Sequence, residues 1–278
     1  MSQSFFGHPE SPIFGVYHAP RGSQKNSTAN RAVVICPPVG QEYLRSHWSL
    51  RMMATQLARK GIHVLRFDYH GIGDSTGSVE EVGSLDAWTH NVAQAIDHLK
   101  KETSVNSVML IGQRMGGLLA GLTAMSRPDV NSLVLWESVI SGSDYLDELR
   151  NMHATMLDLW VCKMTTPNDD QFEEILGSLY HRDLVQEIEQ TNFDVARLVQ
   201  PHLIVESPAS ERKFSSHEPS IQRVIAANRD GAWGDLRELE NAFLRPITTS
   251  TIVKTVDDMF NRLQQFGVLN PKSMAGAV

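Results

Sequence analysis

One short segment combines a glycine-flanked turn with a charged residue at its centre. The sequence Gly112-Gln113-Arg114-Met115-Gly116 follows an apolar run that begins at residue 108. In the pattern G-x-S-x-G, small residues on both sides let a serine stand at the tip of a sharp strand-to-helix turn, ready to attack a carbonyl. A guanidinium has no nucleophilic lone pair at neutral pH. The segment therefore predicts the turn but not the covalent chemistry.

The elements that position this turn are predicted from hydrophobic patterns. Continuous apolar runs, typical of strands buried on both faces of a parallel sheet, occur at residues 31–36, 62–67, 107–111, 132–136 and 202–205. Other segments have apolar residues at spacings of three and four, which predicts helices with one apolar face. Such segments start, for example, at Leu50, Leu85 and Ile252. This alternation predicts an α/β fold with a mostly parallel central sheet flanked by helices.

One stretch breaks the alternation. Residues 143–195 lie between two predicted strands, and their first part shows helical spacing at Leu146, Leu149, Met152, Met156 and Leu159. An insertion there would stand over the carboxyl ends of the strands, where open α/β sheets bind ligands. We predict a single domain, 1–278, with a helical cap insertion at about 143–195. The alternative is a peripheral helical pair that only thickens the core.

Several motifs stand in a fixed order along the chain: PPVGQE at 37–42, FDYHGIGDS at 67–75, the glycine turn at 112–116 and WESVISG at 136–142. Together they resemble the α/β-hydrolase superfamily. The closest resemblance is to its serine aminopeptidase-like branch, including the hydrolase-like proteins associated with bacterial exosortase systems, some of which carry arginine at the same turn. The resemblance covers residues 12–265 and implies the α/β-hydrolase fold.

The resemblance also implies roles for individual residues. The backbone N–H groups of Val39 or Gly40 and of Met115 would form an oxyanion hole, which stabilises negative charge on a reacting oxygen. Arg114 would occupy the nucleophile position.

Two further members of a catalytic triad can be sought in the same way. Glu206 follows the strand predicted at 202–205 and would take the acid position. The general base would be a histidine beyond the last strand, but the final histidine of the chain is His217. The triad is therefore predicted to be degenerate.

Arg114 needs a negative partner, because a cation at the first turn of a helix faces the positive end of the helix dipole. The partner is predicted to be Glu137, Glu206 or Glu42, or an anionic ligand. We favour Glu137, since it follows the neighbouring strand. The predicted ligand-binding residues are Val39, Gly40, Gln113, Arg114, Met115 and Glu137.

Other side chains could replace the missing triad. Cys36 ends a strand just before the predicted oxyanion loop, and His70 lies in a loop near the strand ends. We predict that Cys36 is a small buried hydrophobe and that His70 is solvated, with catalytic roles as the alternative. Ser75 is predicted to be a turn or capping residue.

Composition limits the partners. The chain has 25 Lys and Arg against 32 Asp and Glu, a net charge of −7, which argues against nucleic acid and anionic membrane. Its first residues lack the pattern of a secretory signal, and no apolar run reaches the ~18 residues of a membrane span, so a cytoplasmic location is expected. The histidines lack metal-ligand spacing, and no phosphate-loop motif is complete. We predict no metal and no cofactor.

The predicted function is the binding of an acyl, ester-like or carboxylate small molecule without serine-type hydrolysis. One alternative is an active ester, thioester or amide hydrolase, or an acyltransferase, with a non-standard nucleophile or base. Another is a structural accessory protein. A pathway protein or a second copy of the chain is the expected macromolecular partner.

Overall fold

The computed structural model describes residues 1–21, 31–159, 170–206, 221–225 and 246–265, so Cys162 and His217 lie outside the described residues. The strands are β1 (Ser2–His8), β2 (Ser11–His18), β3 (Ala32–Cys36), β4 (His63–Phe67), β5 (Val108–Gln113), β6 (Val130–Trp136), β7 (Phe172–Ile175), β8 (Ser178–His181), β9 (His202–Glu206) and β10 (Ile221–Ile225). The helices are α1 (Gly40–Arg59), α2 (Leu85–Thr103), α3 (Met115–Ser126), α4 (Gly142–Leu159), α5 (Arg182–Gln190) and α6 (Pro246–Gln265).

Eight strands form one sheet in the order β1-β2-β4-β3-β5-β6-β9-β10. Six neighbouring strands of this sheet pair in parallel, namely β4, β3, β5, β6, β9 and β10. Strand β2 pairs with β4 in antiparallel fashion. Helix α1 packs beside α6, and α2 packs beside α3. The prediction of a mostly parallel sheet flanked by helices is confirmed.

The five strands predicted from apolar runs are all present, with ends that differ by at most two residues. Every residue of β3 and β5 is buried, which explains why their sequences show unbroken apolar runs instead of alternation. Because these strands are central, their carboxyl ends bring the PPVGQE loop and the glycine turn to the same edge of the sheet.

The N-terminal hairpin of β1 and β2 was not predicted. Strand β1 is mostly exposed, with Phe6 its one buried residue, so it lacks the apolar run that marks the central strands. Strand β10 was also missed.

The segment predicted as a helical cap is helical at both ends but contains a hairpin between its helices. Strands β7 and β8 pair antiparallel through Leu176 and Gly177, which have φ values of 52° and 81°. Two consecutive positive φ values are the signature of a tight type I′ hairpin turn, for which glycine is favoured. Helices α4 and α5 pack against one another on either side of this hairpin in sequence. Of the helices that the structure describes, none is both long and apolar enough to cross a membrane.

Candidate functional site around Arg114

Arg114 lies between the last residue of β5 and the first residue of α3. Its backbone has φ 52° and ψ −120°, a conformation that side-chain-bearing residues rarely adopt. Its N–H donates to the carbonyl of Trp136 at 3.0 Å, and its own carbonyl accepts from the N–H of Gly117 at 3.0 Å and of Val139 at 3.2 Å. These bonds fix the strained turn in place.

The glycines of the turn permit close contact between backbones. A Cβ on Gly112 would lie 2.3 Å from the carbonyl oxygen of Gly116, and a Cβ on Gly116 would lie 2.2 Å from the carbonyl oxygen of Cys36. Neither distance is compatible with a side chain. The G-x-x-x-G spacing is therefore a packing requirement of the sharp turn against the end of β3.

The Arg114 side chain is buried, with 5% of it exposed, and carboxylates hold it. Its Nε donates to Oε1 of Glu42 at 2.6 Å, and one terminal nitrogen lies 3.1 Å from Oε2 of Glu148. The guanidinium carbon lies 5.4 Å from the centre of the Tyr145 ring, within reach of a cation–π interaction. The Tyr145 hydroxyl in turn donates to Oε2 of Glu42 at 3.1 Å.

This cluster joins two parts of the fold. Glu42 is the third residue of α1, whereas Tyr145 and Glu148 lie one helical turn apart on α4. Residues three apart on a helix share a face, so α4 presents both groups to the guanidinium. The buried arginine therefore links α4 to α1 and to the turn after β5.

Burial and charge act in opposite directions within the cluster. Burial lowers the pKa of Arg114, but the carboxylates of Glu42 and Glu148 outweigh it and raise that pKa above its ordinary value. For Glu42, burial raises the pKa of the carboxyl, and Arg114 offsets this only in part. The guanidinium is charged at any working pH.

Arg114 contacts Glu42, one of the three glutamates that the sequence offers as partners. The contact favoured from the sequence, with Glu137, stays a prediction. Both Glu137 and Glu206 are buried at the ends of their strands, and the N–H of Glu137 bonds to the carbonyl of Val205 at 2.8 Å. Helix α1 begins directly above the turn, which brings Glu42 to the guanidinium. The sequence does not single out Glu148, because only the packing of α4 over the turn brings it there.

The predicted oxyanion loop lies beside the same cluster. Val39 precedes α1, Gly40 begins it with φ 60°, and Met115 begins α3. A Cβ on Gly40 would lie 2.4 Å from the hydroxyl oxygen of Tyr180 on β8. The hairpin thus covers this loop directly, and the loop's part in an oxyanion hole stays a prediction.

An apolar pocket adjoins the cluster, and the side chains that line it leave little free space. Its lining residues are Val39, Met115, Tyr145, Leu146, Leu149, Ile175, Tyr180, Val185 and Ile188. The cavity that remains has a volume of about 10 Å³, which is room for one water molecule at most. For a larger ligand to enter between these described residues, the side chains that line the pocket would have to move.

Cys36 and His70, the alternative nucleophile and base, both lie in structural environments. Cys36 is fully buried, and burial strongly raises the pKa of its thiol, which disfavours the reactive thiolate. His70 is half-buried instead of fully solvated: its Nδ1 lies 2.9 Å from the Ser11 hydroxyl, and its backbone N–H donates to Asn91 at 2.8 Å. Both residues thus have structural contacts.

Ser75 behaves as a turn residue, as the sequence indicated. Its hydroxyl donates to the carbonyl of Asp68 at 2.6 Å and accepts from the N–H of Phe14 at 2.8 Å. It therefore joins the loop after β4 to β2.

The sequence of this chain is similar to those of known proteins. The family model described as "Serine aminopeptidase, S33" matches residues 28–218. The uncharacterized protein YfhR of Salmonella typhimurium is 29% identical over 114 residues, which make up 40% of this chain and 30% of that relative's length. The chain therefore spans less than a third of the curated relative that it matches.

Solved structures resemble the whole fold. Est1E from Butyrivibrio proteoclasticus, solved with ferulic acid bound, superposes with a TM-score of 0.63 at 17% identity, covering 93% of this chain and 98% of that one. The hypothetical protein PA2218 from Pseudomonas aeruginosa gives 0.62 at 15% identity, covering 92% of each chain. At these identities the likeness establishes the α/β-hydrolase fold alone. With the family model matching more than half of its length, the chain belongs to the serine aminopeptidase S33 family of α/β-hydrolase proteins.

Proposed function

We propose that this chain is a non-hydrolysing member of its family, with a degenerate triad, that binds an acyl, ester-like or carboxylate-bearing small molecule beneath its cap. One observation carries the proposal: the tip of the strand-to-helix turn holds a guanidinium paired with Glu42 and Glu148. A covalent acyl intermediate requires a hydroxyl or thiol at that point with a base in reach. Removing triad chemistry typically lowers the rate about 10⁶-fold.

The chemistry of the site supports the ligand class. The pocket beside Met115 is lined mainly by aliphatic side chains, which suits an acyl chain. Arg114 supplies a planar, permanently charged fork that matches a carboxylate. Glu148 occupies part of this fork from α4 and is 22% exposed. We propose that a ligand carboxylate replaces Glu148 when the cap opens.

A calorimetric titration with sodium octanoate tests this role, with octanol as the matched uncharged ligand. Wild type should bind octanoate more tightly than octanol, and Arg114→Ala should lose that preference. Glu148→Gln should strengthen octanoate binding, because it removes the competing charge from the guanidinium. This second variant alters a partly exposed residue, so it remains informative if Arg114→Ala folds poorly. Equal octanoate binding by wild type and Arg114→Ala would exclude a ligand role for the arginine.

The nearly filled pocket favours a second candidate, a structural accessory protein that keeps the fold for association with a pathway protein. In that case Arg114 is an internal brace and no small ligand is involved. A stoichiometric complex with a partner protein, together with a melting temperature that no acyl or carboxylate compound changes, would support this candidate over the first. The arginine at the turn also leads us to propose the exosortase-associated branch as the nearest subfamily.

A further inference from the structure

Strand β1 forms one edge of the eight-stranded sheet, and its sequence lacks the charged residues and proline that protect many edge strands. Edge strands usually avoid contact with other strands through lysine, proline or inward-pointing charges. The seven residues of β1, SQSFFGH, include no Lys, Arg, Asp, Glu or Pro. Among the strands that the structure describes, β2 alone pairs with β1.

The backbone groups that face the open edge can be identified from the register with β2. Gly7 pairs with Pro12, which has no N–H, so this pair cannot exchange two hydrogen bonds. Phe5 pairs with Phe14, whose N–H bonds to Ser75 and whose carbonyl accepts from Asp68, both on the side away from β1.

Hydrogen-bonded and non-hydrogen-bonded pairs alternate along an antiparallel ladder. The pairs at Phe5 and Gly7 belong to the second kind, and so does the pair at Gln3. The N–H and C=O groups of Gln3, Phe5 and Gly7 therefore point outward, to the open edge.

An exposed aromatic side chain lies at the middle of the same edge. Phe5 is 58% exposed, and its ring centre lies 5.4 Å from that of Phe14. The opposite face of β1 is covered, since Phe6 stacks on His98 of α2 at 4.2 Å. The open edge thus offers backbone hydrogen bonds and an aromatic contact at one place.

We infer that this edge is the interface for a second copy of the chain, which pairs β1 with β1 in antiparallel fashion about a two-fold axis at Phe5. Phe5 is the central residue of the seven, and its outward N–H and C=O can bond to the same groups of Phe5 in the second copy. Gln3 then pairs with Gly7 on each side. An antiparallel strand pair is self-complementary, as a two-fold interface requires.

The pairing would join two eight-stranded sheets into one and place two Phe5 rings opposite each other, each beside a Phe14. Aromatic cross-strand pairs stabilise sheets. Gly7 has φ 92°, which bends the end of the strand and limits the shared ladder to this short span.

Size-exclusion chromatography with light scattering tests the interface over a wide range of concentration. Wild type should reach a mass twice the chain's 31.0 kDa, whereas Phe5→Lys should stay at the single-chain mass. Val199→Lys is the matched control, because Val199 is 91% exposed and lies outside β1; this variant should dimerise like wild type. A wild-type protein that stays monomeric at the highest concentration, or a dimeric Phe5→Lys, would overturn the inference.

A disulfide tests the register. Directly paired, hydrogen-bonded residues have Cα atoms ~5.5 Å apart, within the span of a disulfide. Phe5→Cys should therefore form a covalent dimer under mild oxidation, whereas Val199→Cys and wild type should not. A dimeric Phe5→Cys protein that fails to cross-link would overturn the register, and cross-linking of the Val199→Cys control to the same extent would overturn its specificity.

Discussion

At the scale of single residues, the tip of the strand-to-helix turn at Arg114 carries a buried ion pair. Its guanidinium contacts Glu42 and Glu148 and lies over Tyr145. Burying such a pair gains little net stability, because both charges lose their water. Removing one partner strongly lowers the free energy of unfolding, since the remaining charge is left buried and unpaired.

Arg114→Met should therefore lower the free energy of unfolding by about 3–5 kcal/mol at neutral pH. The cause is Glu42, which would keep its burial and lose its cation. Urea denaturation measures the change. The matched control is Arg150→Met, which removes contacts with Glu173 and Glu189 at a side chain that is 34% exposed; this should cost about 1 kcal/mol or less. Equal stability of Arg114→Met and wild type would contradict the bracing role.

The pH dependence of stability provides a separate prediction for Glu42. Burial raises the pKa of the Glu42 carboxyl, and the nearby charge of Glu148 raises it further. Arg114 and the Tyr145 hydroxyl lower it. Burial raises the pKa of Tyr180, and the charge of Glu42 in turn raises it further. Between the ordinary glutamate pKa and the raised value, the folded state binds more protons than the unfolded state. The free energy of unfolding contributed by this group must then fall as pH rises through that window.

Glu42→Gln removes this titration. The variant should gain stability relative to wild type as pH rises above the ordinary glutamate pKa, because it lacks the buried carboxylate. Urea denaturation of both proteins from about pH 4 to about pH 8 measures the difference. Parallel curves, or a wild type that gains on the variant as pH rises, would show that the folded-state pKa of Glu42 is not raised.

At the scale of elements, the turn between β5 and α3 depends on glycine. Gly116→Ala would place a Cβ against the carbonyl oxygens of Cys36 and Pro37, at 2.2 and 2.4 Å, and backbone cannot move aside cheaply. We expect destabilisation of about 1–3 kcal/mol or more in thermal or urea unfolding. Gly83→Ala is the control, because no atom lies within 4 Å of the added carbon. Equal stability of the two variants would show that the close contact between Gly116 and the backbone after β3 does not contribute to the free energy of unfolding.

The same turn shows which elements could be predicted from sequence. Its strand is a continuous apolar run and its glycines are local signals, so residues 112–116 were recognised without any long-range information. The β7–β8 hairpin was missed because two strands of four residues are too short to show a period, although Gly177 was a usable turn signal. The β1–β2 hairpin was missed because an edge strand has too few buried side chains to show a pattern.

At the scale of the whole molecule, the fold followed from the sequence more readily than the site. The order of strands and helices is encoded in local patterns, which predicted a parallel sheet flanked by helices. The partner of Arg114 is not local: Glu42 and Glu148 lie 72 and 34 positions away in sequence and meet the guanidinium only when α1 and α4 pack over the turn. Reasoning from neighbouring strands therefore names Glu137, which stays a prediction, and cannot single out Glu148.

Hydrolysis of p-nitrophenyl butyrate by the wild-type protein, followed together with labelling by a fluorophosphonate probe, decides whether the turn at Arg114 is catalytic. We expect no turnover above the buffer rate and no labelling, for wild type and for Arg114→Ser, because no base has been identified beside the new hydroxyl. Turnover by wild type that disappears in Arg114→Ala or in Cys36→Ala would contradict a non-hydrolysing protein.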